Sequence, residues 1–198
     1  MEFLVTMTTT VPAGTTPAEV DEMRAREAAN TSRLAAEGRV LRLWRPPLAP
    51  GEWRSIGLFD AAGPDELEAT LATMPLRVWR KDEVTPLGRF GNDPGRDRVA
   101  VDPDRREYLI WFAVAPPAGT RPTDAEEVYS REAAAARKLA DEGTLLRLWS
   151  APGRNAGLWQ ASGDDEMRDI VASLPATAWL ITETVPLTRH PSDPIRLS

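Results

Sequence analysis

The chain repeats itself, and any fold must accommodate two copies of one unit. Pro12-Ala13-Gly14-Thr15 returns as Pro117-Ala118-Gly119-Thr120, and Arg26-Glu27-Ala28-Ala29 as Arg131-Glu132-Ala133-Ala134. Leu41-Arg42-Leu43-Trp44 returns as Leu146-Arg147-Leu148-Trp149, and all three matches share an offset of 105. Later matches share an offset of 100: Pro75 with Pro175, Trp79 with Trp179, Pro86-Leu87 with Pro186-Leu187, Arg89 with Arg189, and Asp93-Pro94 with Asp193-Pro194. Matches in one order with a single change of offset mark a tandem duplication. The change corresponds to a deletion where Arg45–Gly51 faces Ser150–Gly153, a Pro- and Gly-rich stretch that reads as a loop. The repeats span residues 1–90 and 106–198, and residues 91–105, rich in Asp, Arg, Gly and Pro, form the linker.

Each copy reads as βαββαβ. In the first, Glu2–Val11 is rich in β-branched and aromatic residues and predicts a strand. Thr16-Pro17 supplies an N-cap with Pro at the first helical position, and the helix runs to Glu37 with Gly38 closing it. Arg39–Arg45 and Trp53–Asp60 are strands, Pro64–Thr73 a second helix, and Leu76–Val84 a final strand. This order predicts an α+β fold in which a ferredoxin-like unit sets two helices on one face of a four-stranded sheet. One such unit leaves its other face bare, so two repeats favour a pseudo-dimeric α/β barrel within one chain.

Composition narrows the chemistry. A net charge of −6 favours neither nucleic acid nor an anionic membrane as partner. There is no cysteine, which removes disulfides, thiolate nucleophiles and iron–sulfur clusters. The single histidine, His190, removes multi-histidine metal sites, and no loop has the spacing of a carboxylate cation site. The apolar N-terminal stretch is short, interrupted by threonines and opened by Glu2, so a cytoplasmic location without a signal peptide is expected.

One residue breaks the helical pattern. Val20, Met23 and Leu34 lie along one stripe of the first helix, and Glu27 falls on the same stripe. In the second copy Ala125, Val128 and Leu139 bracket Glu132 in the same way. A carboxylate aimed at a helix–sheet interface is costly unless paired or protonated, and burial lifts its pKa into the range of a general base. A structural ion pair with Arg42 or Arg147, or a position at the wet edge of the stripe, are the other readings of the same pattern. Arg45, replaced by Ser150 in the second copy, reads either as an exposed surface arginine or as the group that holds a substrate carboxylate. Trp44 and Trp149, repeated in both copies, suit packing as well as ligand contact, and Asn155 stands opposite Ser55.

Taken in order, these pieces resemble the muconolactone isomerase family. The resemblance rests on Phe3-Leu4-Val5-Thr6-Met7, the Pro12 turn, the helix with Glu27 that ends Glu37-Gly38, and Leu43-Trp44-Arg45. It continues through Phe59-Asp60, Met74-Pro75-Leu76 and the closing Arg189-His190-Pro191-Ser192, and it spans nearly all of both copies. The resemblance implies a cofactor-free isomerase that moves a C=C bond in an unsaturated lactone or related enolisable carbonyl compound. It casts Glu27, Glu132 and His190 as catalytic residues, and Arg45, Trp44, Trp149, Asn155 and Arg189 as substrate-binding. Neither copy holds the whole set, so the tails are expected to cross, His190 completing the pocket of Glu27. A tailoring cyclase or oxygenase on the same barrel and a non-catalytic binding module are the alternatives. A small-molecule substrate and a possible homo-oligomer of the fused pair complete the expectation.

Overall fold

A computed structural model describes residues 1–195. The first repeat contains β1 (Glu2–Thr9), α1 (Pro17–Ala36), β2 (Val40–Arg45), β3 (Arg54–Asp60), α2 (Pro64–Ala72) and β4 (Arg80–Arg89). The second contains β5 (Arg106–Val114), α3 (Pro122–Asp141), β6 (Leu145–Ala151), β7 (Arg154–Ala161), α4 (Asp164–Ser173) and β8 (Leu180–Arg189). The class is α+β, with the same βαββαβ order in each copy. A short 3₁₀ helix, Pro75–Trp79, occupies the stretch expected to begin the last strand, and Thr177–Trp179 does so in the second copy.

Local chemistry sets these boundaries. Thr16 caps α1 through a reciprocal box: its hydroxyl accepts the Glu19 N–H while Glu19 Oε2 accepts the Thr16 N–H at 2.7 Å. At the other end Gly38 takes φ +71°, a conformation any Cβ would strain.

The compact units do not coincide with the repeats. One unit comprises residues 1–87 together with the tail from Thr188; the other comprises Gly88–Leu187. In the first, β1 pairs antiparallel with β3 and β4, and β2 pairs with β3 and with the last residues of β8, Trp44 opposite Arg189. In the second, β5 pairs with β7 and β8, and β6 pairs with β7 and the end of β4, Trp149 opposite Arg89. Each strand thus has two hydrogen-bonded neighbours.

In the first unit Phe3, Val5, Met7, Val40, Leu43 and Phe59 pack with Leu34 of α1 and Leu67 and Leu71 of α2. The second unit assembles Tyr108, Ile110, Leu145, Leu148 and Trp159 with Ala136 and Met167. Both cores need a glycine in the third strand of the repeat. A Cβ on Gly57 would strike the Phe59 ring and lie 3.1 Å from both Leu43 Cδ2 and Met7 Cε. Gly57→Ala is therefore expected to lower stability by about 1–3 kcal/mol through overpacking, read as a fall in Tm with the fold retained.

Candidate active site

A bulge in β2 decides where its side chains point. Val40 pairs with Phe59, but Arg42 pairs with Leu58, so the register slips by one residue between them. Val40 and Leu43 consequently both face the helices, and Arg42 and Trp44 turn to the opposite side. The second repeat has the same slip between Leu145 and Arg147. Arg42 and Arg147 are for this reason not the partners of Glu27 and Glu132, contrary to the ion-pair expectation.

Their partners lie in the tails. Arg42 Nε and Nη2 donate to the Asp193 carboxylate at 3.2 and 3.1 Å, and the Leu43 N–H donates to Asp193 Oδ1 at 3.0 Å. Arg147 and the Leu148 N–H grip Asp93 identically, at 3.1, 3.2 and 2.8 Å. Each guanidinium also stacks on the next tryptophan, Arg42 over Trp44 at 4.7 Å and Arg147 over Trp149 at 4.8 Å. Trp44 and Trp149 are buried platforms for these arginines and stand outside the lining of both cavities. Arg189 approaches Asp193 at 3.5 Å and also stands outside the first cavity.

The anchored tail carries His190 into a cavity of about 420 Å³ in the first unit. Glu27, Arg45 and Arg80 share its lining with His190, as does Ser55. Glu27 is held from two sides. Its Oε2 accepts the Leu76 N–H at 2.8 Å, an amide at the start of the 3₁₀ helix that has no partner within that helix. Its Oε1 accepts from Arg80 Nη1 at 3.1 Å. Arg80 in turn donates through Nε and Nη2 to Asp82, at 2.6 and 3.0 Å, and Arg77 makes a short contact to the same carboxylate. Arg80 and Asp82 are almost wholly enclosed, while Glu27 keeps 13% of its side chain accessible. Burial pushes the Glu27 carboxyl above the ordinary range; the Leu76 amide and Arg80 pull against this, and the Asp82 charge adds to it.

His190 is neutral here. Burial, with the Arg45 charge nearby, pushes its imidazole down to about 4. Its Nδ1 accepts the Ser192 N–H at 3.1 Å, which assigns the proton to Nε2 and makes that nitrogen a donor. A depressed histidine has a stability signature. The unfolded chain protonates near pH 6.5 and the folded one near 4, so stability is full above the upper value and is lost as pH falls through the window between them. Urea unfolding at the two ends of that window should show a loss on the order of 1–2 kcal/mol, allowing for partial exposure, that shrinks in His190→Phe.

The second unit has its own cavity, of about 310 Å³, lined by Glu132 and by Phe90, Gly91 and Asn92 of the other tail. Glu132 Oε2 accepts the Ala176 N–H at 2.9 Å, and burial again raises its carboxyl. Where the first unit has Arg80 and Asp82, this one has Leu180 and Thr182, so the Glu132 carboxylate forms no ion pair among the described residues. Asn155, the second residue of β7, lies outside this cavity, although its counterpart Ser55 lines the first. Arg80, Asp82 and the Ser192 amide were not expected from the sequence; a repeat comparison passes over Arg80 because its copy is Leu180. Among the described residues no group of His, Cys, Asp and Glu is placed to hold a metal ion, and no helix is long and apolar enough to cross a membrane.

Comparison with known proteins agrees with this division into two copies. The family model for muconolactone delta-isomerase matches residues 1–93 and again 106–193. The muconolactone Delta-isomerase of Cupriavidus pinatubonensis is 35% identical over 89 residues, which cover 45% of this chain and 94% of that protein. That of Rhodococcus opacus is 32% identical over 91 residues, 46% of this chain and 95% of the relative. A heme-binding protein from Thermus thermophilus aligns over 97% of this chain and 93% of its own, with a TM-score of 0.61; at 11% identity the likeness is one of fold alone. Two successive matches to one family model, each nearly as long as a whole relative, account for nearly all of the sequence: the chain belongs to the muconolactone delta-isomerase family, as a tandem pair.

Proposed function

We propose that the first cavity isomerises a small unsaturated lactone bearing a carboxylate, with Glu27 as the proton carrier. The observation that carries the reading is the convergence of Glu27, Arg45 and His190 on one cavity, the histidine delivered by the tail of the other repeat. Arg45, exposed at the end of β2, meets the substrate carboxylate. The Glu27 carboxylate takes a proton from carbon beside the C=C bond, and the electron pair moves into the lactone carbonyl to form a dienolate. The His190 Nε2–H donates to the oxygen on which that charge gathers, and a neutral imidazole does so without surrendering its proton. Glu27, now protonated, returns the proton to another carbon of the conjugated system, and the double bond has moved with no net change in atoms or electrons. Arg80 is a positioning residue: with its hydrogen bonds shared between Glu27 and Asp82, it fixes the carboxylate and is not left to bind substrate.

The size of the cavity, about 420 Å³, suits a small acid and not the long apolar channel that a tailoring enzyme for large substrates requires. The test is to incubate the purified chain with muconolactone in deuterium oxide. The expected result is a shifted double bond, with deuterium at the carbon that receives the proton in a fraction of the product. No shift of the bond would overturn the reading.

A further inference from the structure

The two cavities share most of their lining positions, and the second has lost its positive charge. By the repeat register, Arg24, Arg45, Arg80 and His190 of the first correspond to Tyr129, Ser150, Leu180 and Phe90. Thr31, also in the first lining, corresponds to Ala136. The glutamate alone among these groups is kept. The second cavity is thus a carboxylate set among Phe90, Ile110, Phe112, Trp159, Leu174 and Leu180, with no cation in its lining. In its wall Phe90 from the tail meets Phe112 edge to face, ring centroids 5.6 Å apart.

Asn92, Tyr129 and Thr182 also lie in the lining, and the Glu132 carboxylate is the charged group that faces a ligand. Glu132 gives one oxygen to the Ala176 amide, and no ion pair competes for the carboxylate. The Trp159 indole N–H, buried over Gly157, has no hydrogen-bond partner among the described residues. An acid entering this cavity would set its charge against Glu132 with no cation to offset it, a penalty of about a hundredfold or more in affinity in a site of low polarity. A hydroxyl or carbonyl group on an apolar ring meets no such penalty. It can donate to Glu132 as the alcohol or enol.

We propose that the second cavity binds a neutral, largely apolar ring compound carrying a hydroxyl or enolisable carbonyl group, and excludes carboxylates. This does not depend on what the first cavity catalyses. The volume of about 310 Å³ takes two fused rings, so the matched probes are 2-naphthol and 2-naphthoate. Titration of the full chain with 2-naphthol, followed by calorimetry and by the indole N–H resonances, should show one site that moves the Trp159 resonance and not that of Trp53 in the first cavity. 2-Naphthoate should fail to displace it at about a hundredfold higher concentration. Leu180→Arg, which restores the first cavity's arginine, should weaken 2-naphthol at least about tenfold and let 2-naphthoate compete. Should that variant not fold, the competition and the resonance shifts in the unaltered chain decide alone. No binding of 2-naphthol at about 1 mM, a shift at Trp53 in place of Trp159, or equal displacement by 2-naphthoate would overturn the proposal.

Discussion

Glu27→Gln should lower kcat on muconolactone by about a thousandfold, within the range of a lost general base, and leave KM little changed. Glutamine has the size of glutamate, and its carbonyl oxygen can still accept the Leu76 amide now bound to Glu27 Oε2. Arg80 keeps Asp82, so no buried charge is left alone and the fold should survive, which circular dichroism would check. What is lost is the carboxylate proposed to take and return a proton. Glu132→Gln, in the cavity without cations, should change the same rate by less than about threefold. Because burial raises the Glu27 carboxyl, kcat/KM should climb with pH through a value above that of an ordinary glutamate, and the residual activity of the variant should lack that limb. Equal, partial losses from both substitutions would mean two working sites, and an unimpaired Glu27→Gln would place the base elsewhere.

Asp193→Ala should cost about 3–5 kcal/mol and lower Tm by about 10 °C. The Asp193 carboxylate is enclosed with the Arg42 guanidinium, 1% and 6% accessible, and it accepts the Leu43 amide as well. Its removal takes this carboxylate from a buried cation and an acceptor from the Leu43 amide. It also unfastens the segment that holds His190, so activity on muconolactone should fall even where the protein remains folded. Asp93→Ala supplies the contrast, since it breaks the equivalent grip on Arg147 in the other unit. It should destabilise similarly while sparing the first cavity. Matching activity losses in the two variants would show that the tail does not position the site.

The element order was legible because Pro, Gly and capping residues punctuate both copies, and Glu27 was legible because helical periodicity reports direction. The partner of Glu27 was not. Strict alternation along β2 puts Arg42 on the same face as Val40, and the bulge that reverses this leaves no mark in the sequence. Arg80 was hidden differently: comparison between copies finds what they share, and this arginine belongs to one of them. The 3₁₀ helix that offers the Leu76 amide was read as the start of a strand from its apolar residues. The tail anchors were within reach. Asp93 and Asp193 repeat, as do Arg42 and Arg147, and repeated opposite charges could have been joined across the copies. Their setting in Pro- and Gly-rich stretches disguised them as connectors.

The exchange of tails separates heredity from chemistry. Codon 190 lies in the second copy of the duplicated gene, yet its side chain lines a cavity with a glutamate encoded in the first, and Phe90 stands in the reverse relation to Glu132. Neither copy can therefore drift alone: a change in one tail alters the chamber of the other. Such an arrangement lets two linked chambers part ways in what they accept while both halves stay indispensable. Scission of the gene between them would yield two polypeptides able to work only as a mixed pair.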